Sequence, residues 1–229
     1  MLHKSTGAAN AGHRFLIAAS PPETRWASDL QRARRSRLLD SAVEIAQGTG
    51  YDGVRMRDIA DHAGVAISTV YRYFPSKIHL LVTALNRELS ELGDTLADDL
   101  TYLDGPFERL GVAATSLTNA MEHSGRISGT LTQAYIAATV TAPREAEAIQ
   151  LQTTMFFSRG MGAPPRCGFY RHIAALITDV WTGEVLALVQ KRRTFDDLRC
   201  RLQSAIDLVA STAALDVSQR VHSDVRTCS

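Results

Sequence analysis

Apolar residues recur at helical spacing along most of this chain, interrupted only at glycine, proline and short polar runs. Leu38, Ala42 and Ile45, with Leu39, Val43 and Ala46, make one apolar face of a first helix. The sequence predicts that this helix starts at Ser28, with Gln31 as its capping-box partner, and stops at Gly48-Thr49-Gly50. Met56 to Ala63 reads as a two-turn helix with Ile59, Ala60 and Ala63 on one side; Gly64 breaks it and Val65 points back. A second short helix, Ile67 to Tyr73, is stopped by Phe74-Pro75. Ser76 caps a longer helix whose stripe is Ile78, Leu81, Leu85, Leu89 and Leu92.

Past Gly93 the pattern stays helical but widens. It predicts helices over Phe107–Met121, Ser128–Ala138, Arg144–Arg159, Tyr170–Lys191 and Phe195–Ser211. The breaks fall at Gly105-Pro106, Ser124-Gly125, Pro143 and the Gly160 to Gly168 stretch with Pro164-Pro165. No alternating strand pattern exceeds about four residues, and no internal repeat is visible. The fold expected is all-α: an N-terminal three-helix helix-turn-helix domain, then a larger helical domain. The predicted boundaries are a disordered tail over 1–27, the first domain over 28–77, the second over 78–212 and a C-terminal tail over 213–229.

With 229 residues, 45% of them hydrophobic, the chain suits one sizeable core or a small domain fused to a larger one. No run approaches the ~20 consecutive apolar residues of a membrane helix. Phe15 to Ala19 is too short for a signal core, so no membrane partner and a cytoplasmic protein are expected. The widely spaced cysteines at 167, 200 and 228 fit reduced thiols, and no metal-ligand spacing links them with the seven histidines. No cofactor is implied. A net charge of +1 gives no global basic field, but Gln31 to Arg37 reads QRARRSR. Its four arginines, Arg35 among them, can meet phosphates or form a solvated helix face.

The string RLLDSAVEIAQGTGYDGVRMRDIADHAGVAISTVYRYFPSKIHLL, from Arg37 to Leu81, resembles the DNA-binding domain of the TetR family of regulators. Gly50-Tyr51, Asp58-Ile59-Ala60, Ala63-Gly64-Val65, Ser68, Thr69, Tyr71, Tyr73, Phe74 and Lys77 carry the resemblance. It implies operator DNA, double-stranded and palindromic, bound by a homodimer. Ile67, Ser68, Thr69, Tyr71, Arg72 and Tyr73 would lie on the recognition helix, where hydroxyls and phenols reach phosphates or base edges. Tyr71 and Tyr73, two residues apart, cannot share a helix face, so Tyr73 divides between phosphate contact and packing. Lys77 would meet phosphate at a helix start, and Arg55 and Arg57 would contact the DNA backbone.

The strings VYRYFPSKIHLLVTALNREL, TQAYIAA and ITDVW are similar to an actinobacterial branch of that family that represses sterol catabolism. That branch responds to steroid-derived acyl-CoA thioesters, which implies a repressor released by a small hydrophobic effector. A repressor of efflux or fatty-acid metabolism is the alternative. A ligand pocket among the later helices would take Phe107, Leu117, Met121, Tyr135, Ala138, Phe156, Ile177 and Trp181; each is equally a plain core residue. Leu176 and Met155 share that apolar pattern, and Asp179, if buried, needs a partner. The broad apolar faces of the last two helices, Ile173 to Leu188 and Leu198 to Val209, should pair across a two-fold axis. Catalysis is not expected, since no nucleophile, base and orienter occur together and no phosphate loop is present. A non-specific nucleoid protein would be more basic and would not need the large apolar half.

Overall fold

A computed structural model describes residues 22–162 and 168–226, with side chains described over 29–162 and 168–213. The helices are α1 (Pro22–Gly48), α2 (Met56–His62), α3 (Ile67–Tyr73), α4 (Lys77–Asp99), α5 (Pro106–His123), α6 (Gly129–Thr141), α7 (Pro143–Gly160), α8 (Gly168–Val189) and α9 (Phe195–Arg226). A 3-10 turn, Leu100–Tyr102, ends α4, and no strand occurs among the described residues. The all-α expectation holds.

Compact units divide at Arg34. The described part of the first is the opening stretch of α1, where Arg32 pairs with Asp29. The second unit, from Arg35 onward, holds one continuous core from Leu38 and Ala42 in α1 to Leu202 and Ile206 in α9. Helix α4 packs on α6 and α7, α7 on α8, and both α5 and α8 on α9. Leu81, Leu85 and Leu89 are fully buried, as the stripe on α4 requires.

Local chemistry explains the breaks. At φ +63°, Gly64 occupies the left-handed region and reverses the chain between α2 and α3. Phe74 is extended because Pro75 follows it, and the Ser76 hydroxyl then accepts the His79 N–H to start α4. Gly160 permits close approach of α7 and α5: a Cβ there would stand 3.0 Å from the Ala113 Cβ.

Two ends differ from expectation. Helix α1 begins at Pro22, so Ser28 lies inside it and residues 22–27 are helical rather than a disordered tail. A proline at the first helical position has its φ already set and lacks a donor that would be orphaned there anyway. Helix α9 continues to Arg226, so 213–226 are not a tail. No glycine or proline occurs between Phe195 and Arg226, so nothing in the backbone chemistry ends the helix at Ser211. Residues 1–21, 227–229 and the Pro164-Pro165 stretch lie outside the described residues. By length and composition alone α8 could cross a membrane; one of its faces packs on α6, α7 and α9.

Candidate nucleic-acid interface and ligand core

The turn between α2 and α3 is closed by backbone hydrogen bonds from Gly64 N to Asp61 O (3.2 Å) and Val65 N to Ala60 O (3.0 Å). Val70 is fully buried, and Ile67 and Tyr73 pack against the core, which fixes the rotation of α3. Ser68, Tyr71 and Arg72 consequently face solvent, Thr69 is half-buried, and Tyr71 is 52% exposed. The two tyrosines take opposite sides, as their spacing dictates. Arg55 and Arg57 at the start of α2 are exposed. The Arg35 guanidinium lies 5.5 Å from the Phe74 ring centroid, which brings it beside the end of α3.

Lys77 is not a free cation. Its Nζ donates to the Tyr51 carbonyl at 2.8 Å and stands 4.3 Å from the Tyr51 ring centroid. Burial, and then the Asp52 charge, push the Tyr51 phenol above its ordinary value. Tyr51, a motif residue to which the sequence assigns no contact, thus seats the lysine at the start of α4. His62 ties α2 to α1, with Nδ1 3.1 Å from the Ser41 hydroxyl and Nε2 3.2 Å from Glu44.

In the second group, Tyr135 on α6 and Trp181 on α8 are fully buried and stacked, with centroids 5.8 Å apart and planes at 23°. The Tyr135 hydroxyl shares a 3.0 Å hydrogen bond with Thr182, and burial raises the phenol's pKa against the lowering effect of its bonds to Thr182 and Gln150. Thr154 donates to Thr178 at 3.1 Å. Among the described residues Glu184 Oε2 on α8 lacks a hydrogen bond although Arg193 Nε stands 3.8 Å away, and two neutral buried atoms, Trp181 Nε1 and Thr153 Oγ1, have no partner at all. Each costs about 1–3 kcal/mol in a closed apolar interior.

The predicted pocket residues divide. Leu117, Ala138 and Ile177 are buried with Tyr135 and Trp181 in the core, and Phe156 packs edge-on against Phe157 and close to Gly93. Met121 lines a separate cleft of about 540 Å³ at the end of α1, and Phe107 lines a groove of about 340 Å³ beside Gln203 of α9. Asp179 is exposed, so it needs no buried partner; Leu176 and Met155 are exposed too, because both lie on the outward sides of their helices.

The core also holds a carboxylate that the helical periodicity does not mark. Glu88 of α4 has a side chain only 1% exposed, and it accepts from Arg87 Nη2 at 2.9 Å and from Arg126 Nε at 2.5 Å. Arg87 also donates to Asp40 of α1 at 2.7 Å, and Arg126, in the α5–α6 turn, to Glu91 at 2.9 Å. The network ties α1, α4 and the α5–α6 turn together. His79 adds a second tie, with Nε2 2.8 Å from Glu145 of α7.

The family described as bacterial regulatory proteins, tetR family, matches residues 38–84. The HTH-type transcriptional repressor KstR of Mycobacterium tuberculosis is 37% identical over 187 residues, 82% of this chain and 85% of that protein. The crystal structure of a TetR transcriptional regulator from Rhodococcus sp. RHA1 superposes with a TM-score of 0.68 at 25% identity, covering 78% of this chain and 96% of that one. That of Thermus thermophilus FadR, a TetR family transcriptional repressor in complex with lauroyl-CoA, shares the fold at a TM-score of 0.60 and 18% identity, over 77% and 93% of the two chains.

Proposed function

Because the chain belongs to the tetR family of bacterial regulatory proteins, we propose that it is a ligand-released repressor acting as a homodimer in the cytoplasm. Residues 28–77 bind one half of a palindromic operator, and residues 78–212 hold a small hydrophobic effector and form the dimer. The observation that carries this reading is α3: Ser68, Tyr71 and Arg72 face outward while Val70 is locked in the core. A short rigid helix with exposed hydroxyl, phenol and guanidinium groups suits a major groove.

The effector is a steroid or an acyl-CoA thioester, and the genes controlled serve lipid or steroid catabolism. Supporting this, the core around Tyr135 and Trp181 is apolar with uncharged polar groups, two of them unpaired. A ketone or thioester carbonyl would satisfy the Trp181 N–H. The Thermus thermophilus repressor of the same fold is crystallised with lauroyl-CoA. Phe169 and Leu176 on α8 and Leu208 on α9 are exposed, and pairing these faces across a two-fold axis would cover them.

Footprinting on the DNA upstream of the chain's own gene, with and without a steroid acyl-CoA, tests the reading. A protected palindrome that Y71A fails to protect, and that the thioester releases, is the expected result. Protection unchanged by Y71A, or unaffected by every thioester and steroid tried, overturns the corresponding half.

A further inference from the structure

The cleft at the end of α1 has a chemistry unlike the core around Trp181. Its volume of about 540 Å³ lies within the roughly 300–1,000 Å³ of small-molecule sites. Met121, Leu188 and Phe195 give it an apolar side, while Gln47, Thr132 and Gln133 supply uncharged hydrogen-bonding groups. Among the described residues, Lys191, in the turn after α8, is the one charged residue in its lining, and no carboxylate lines it. Among the described residues the Lys191 ammonium has no ion-pair or hydrogen-bond partner. The two cations that follow are engaged, Arg192 by Gln190 and Arg193 by Glu184.

Lys191 also stands where a glycine would be relaxed. Its N–H bonds to Leu188 O and that of Arg192 to Ala187 O, both at 2.9 Å, which closes α8 with a left-handed residue at φ 58°. Helices α6 and α8, which carry the Tyr135–Trp181 pair, both supply residues to the cleft wall. Trp181 lies seven residues before Leu188, about 10 Å along α8, and Tyr135 lies one turn past Thr132 on α6. Across the cleft, Thr130 Oγ1 donates to the Thr49 carbonyl at 2.9 Å, so an occupant touches both the end of α1 and the start of α6.

We propose that this cleft binds the anionic end, phosphate or carboxylate, of an amphipathic small molecule, with Lys191 as its charged anchor and the apolar part directed between α6 and α8. The inference rests on the ligand-responsive reading above and assigns the charged end of that ligand a place. A lone ammonium in a wall free of carboxylates favours an anion, and the neighbouring amide and hydroxyl groups can share its remaining oxygens. Occupancy would bear directly on α1, the first helix of the DNA-binding segment.

Calorimetric titration of the full chain with coenzyme A, and separately with dodecanoate, tests the site. K191G removes the ammonium and relieves the positive φ, so its unfolding midpoint should equal or exceed the parent's. Q133E adds a carboxylate to the lining and leaves Lys191 in place. Both should weaken binding about tenfold or more, as loss of a charge-assisted hydrogen bond does. Weakening toward coenzyme A alone identifies a phosphate ligand, toward dodecanoate alone a carboxylate, and toward both a site for either. If the parent binds neither probe, or both variants bind them as the parent does, the inference is overturned. Operator release is read separately: a chain that binds coenzyme A through Lys191 yet keeps its operator loses the switch reading and retains this site.

Discussion

Removing Arg87 should destabilise the protein more than removing Arg126, although both guanidiniums hold the same carboxylate. Glu88 is buried, Arg87 is 19% exposed at its side chain and Arg126 is 54% exposed. R87A takes away two bonds to Glu88 (3.3 and 2.9 Å) and the 2.7 Å bond to Asp40. Breaking a buried pair on one side costs about 3 kcal/mol or more. R126A takes away one bond to Glu88 and one to the exposed Glu91. Since Arg126 is half in water, its loss should cost only about 1–2 kcal/mol. Its guanidinium pKa is raised mainly by the hydrogen bond to Glu88, so it stays charged throughout any accessible pH range. For a chain of this size about 2–4 °C accompanies each kcal/mol, giving a fall of roughly 6–12 °C for R87A. The double variant strands Glu88 with no cation and should lose more than the sum of the singles, by over ~0.5 kcal/mol. Denaturant unfolding at fixed protein concentration measures all three, because a dimer's midpoint moves with concentration. Equal losses from R87A and R126A, or strict additivity, would refute the idea that Glu88 is the shared element.

Three other outcomes follow from single side chains. T153V deletes a buried hydroxyl without a partner, so it should leave stability unchanged or raise it by up to about 1–3 kcal/mol while weakening the effector's action on DNA; a clear loss of stability in thermal unfolding would mean that the hydroxyl is satisfied. Y71A should reduce operator binding in a mobility-shift assay with the unfolding midpoint intact, whereas Y73A, on the packed side of α3, should lower that midpoint; the reverse pattern contradicts the orientation of α3. Asp197 accepts from the Thr194 backbone N–H and hydroxyl at the start of α9, and the backbone bond is the main reason its carboxyl titrates below its ordinary value of 3.8. A depressed folded pKa stabilises above the unfolded pKa, so the advantage of the parent over D197N should be constant near neutrality and shrink as pH falls below about 3.8; an advantage that grows in acid would contradict it.

Sequence pattern located α2 and α3 almost to the residue because each boundary has a local chemical cause: a left-handed Gly64, an extended Phe74 before Pro75, a Ser76 cap. Local causes failed where the signal is ambiguous or missing. Pro22 can end one segment or open the next, and nothing after Ser211 tells α9 to stop. Tyr135 and Trp181 were legible as a pair of interest because an aromatic ring with a polar tip, set in an apolar run, must bury one end and satisfy the other. That the indole N–H is left unsatisfied is a tertiary fact. The Glu88 network was not legible, because Arg126 is 38 residues away and meets the carboxylate only through the course of the α5–α6 turn. Lys191 was hidden for a different reason. A lysine followed by two arginines at a helix end reads as ordinary complement to the helix dipole, and only the backbone angle and the carboxylate-free cleft set it apart. Both concealed groups lie where α1 meets α4, α6 or the turns beside them. A regulator must connect its two tasks along such seams, and contacts of that kind are set by how helices distant in sequence come together, which the periodicity of any one helix does not encode.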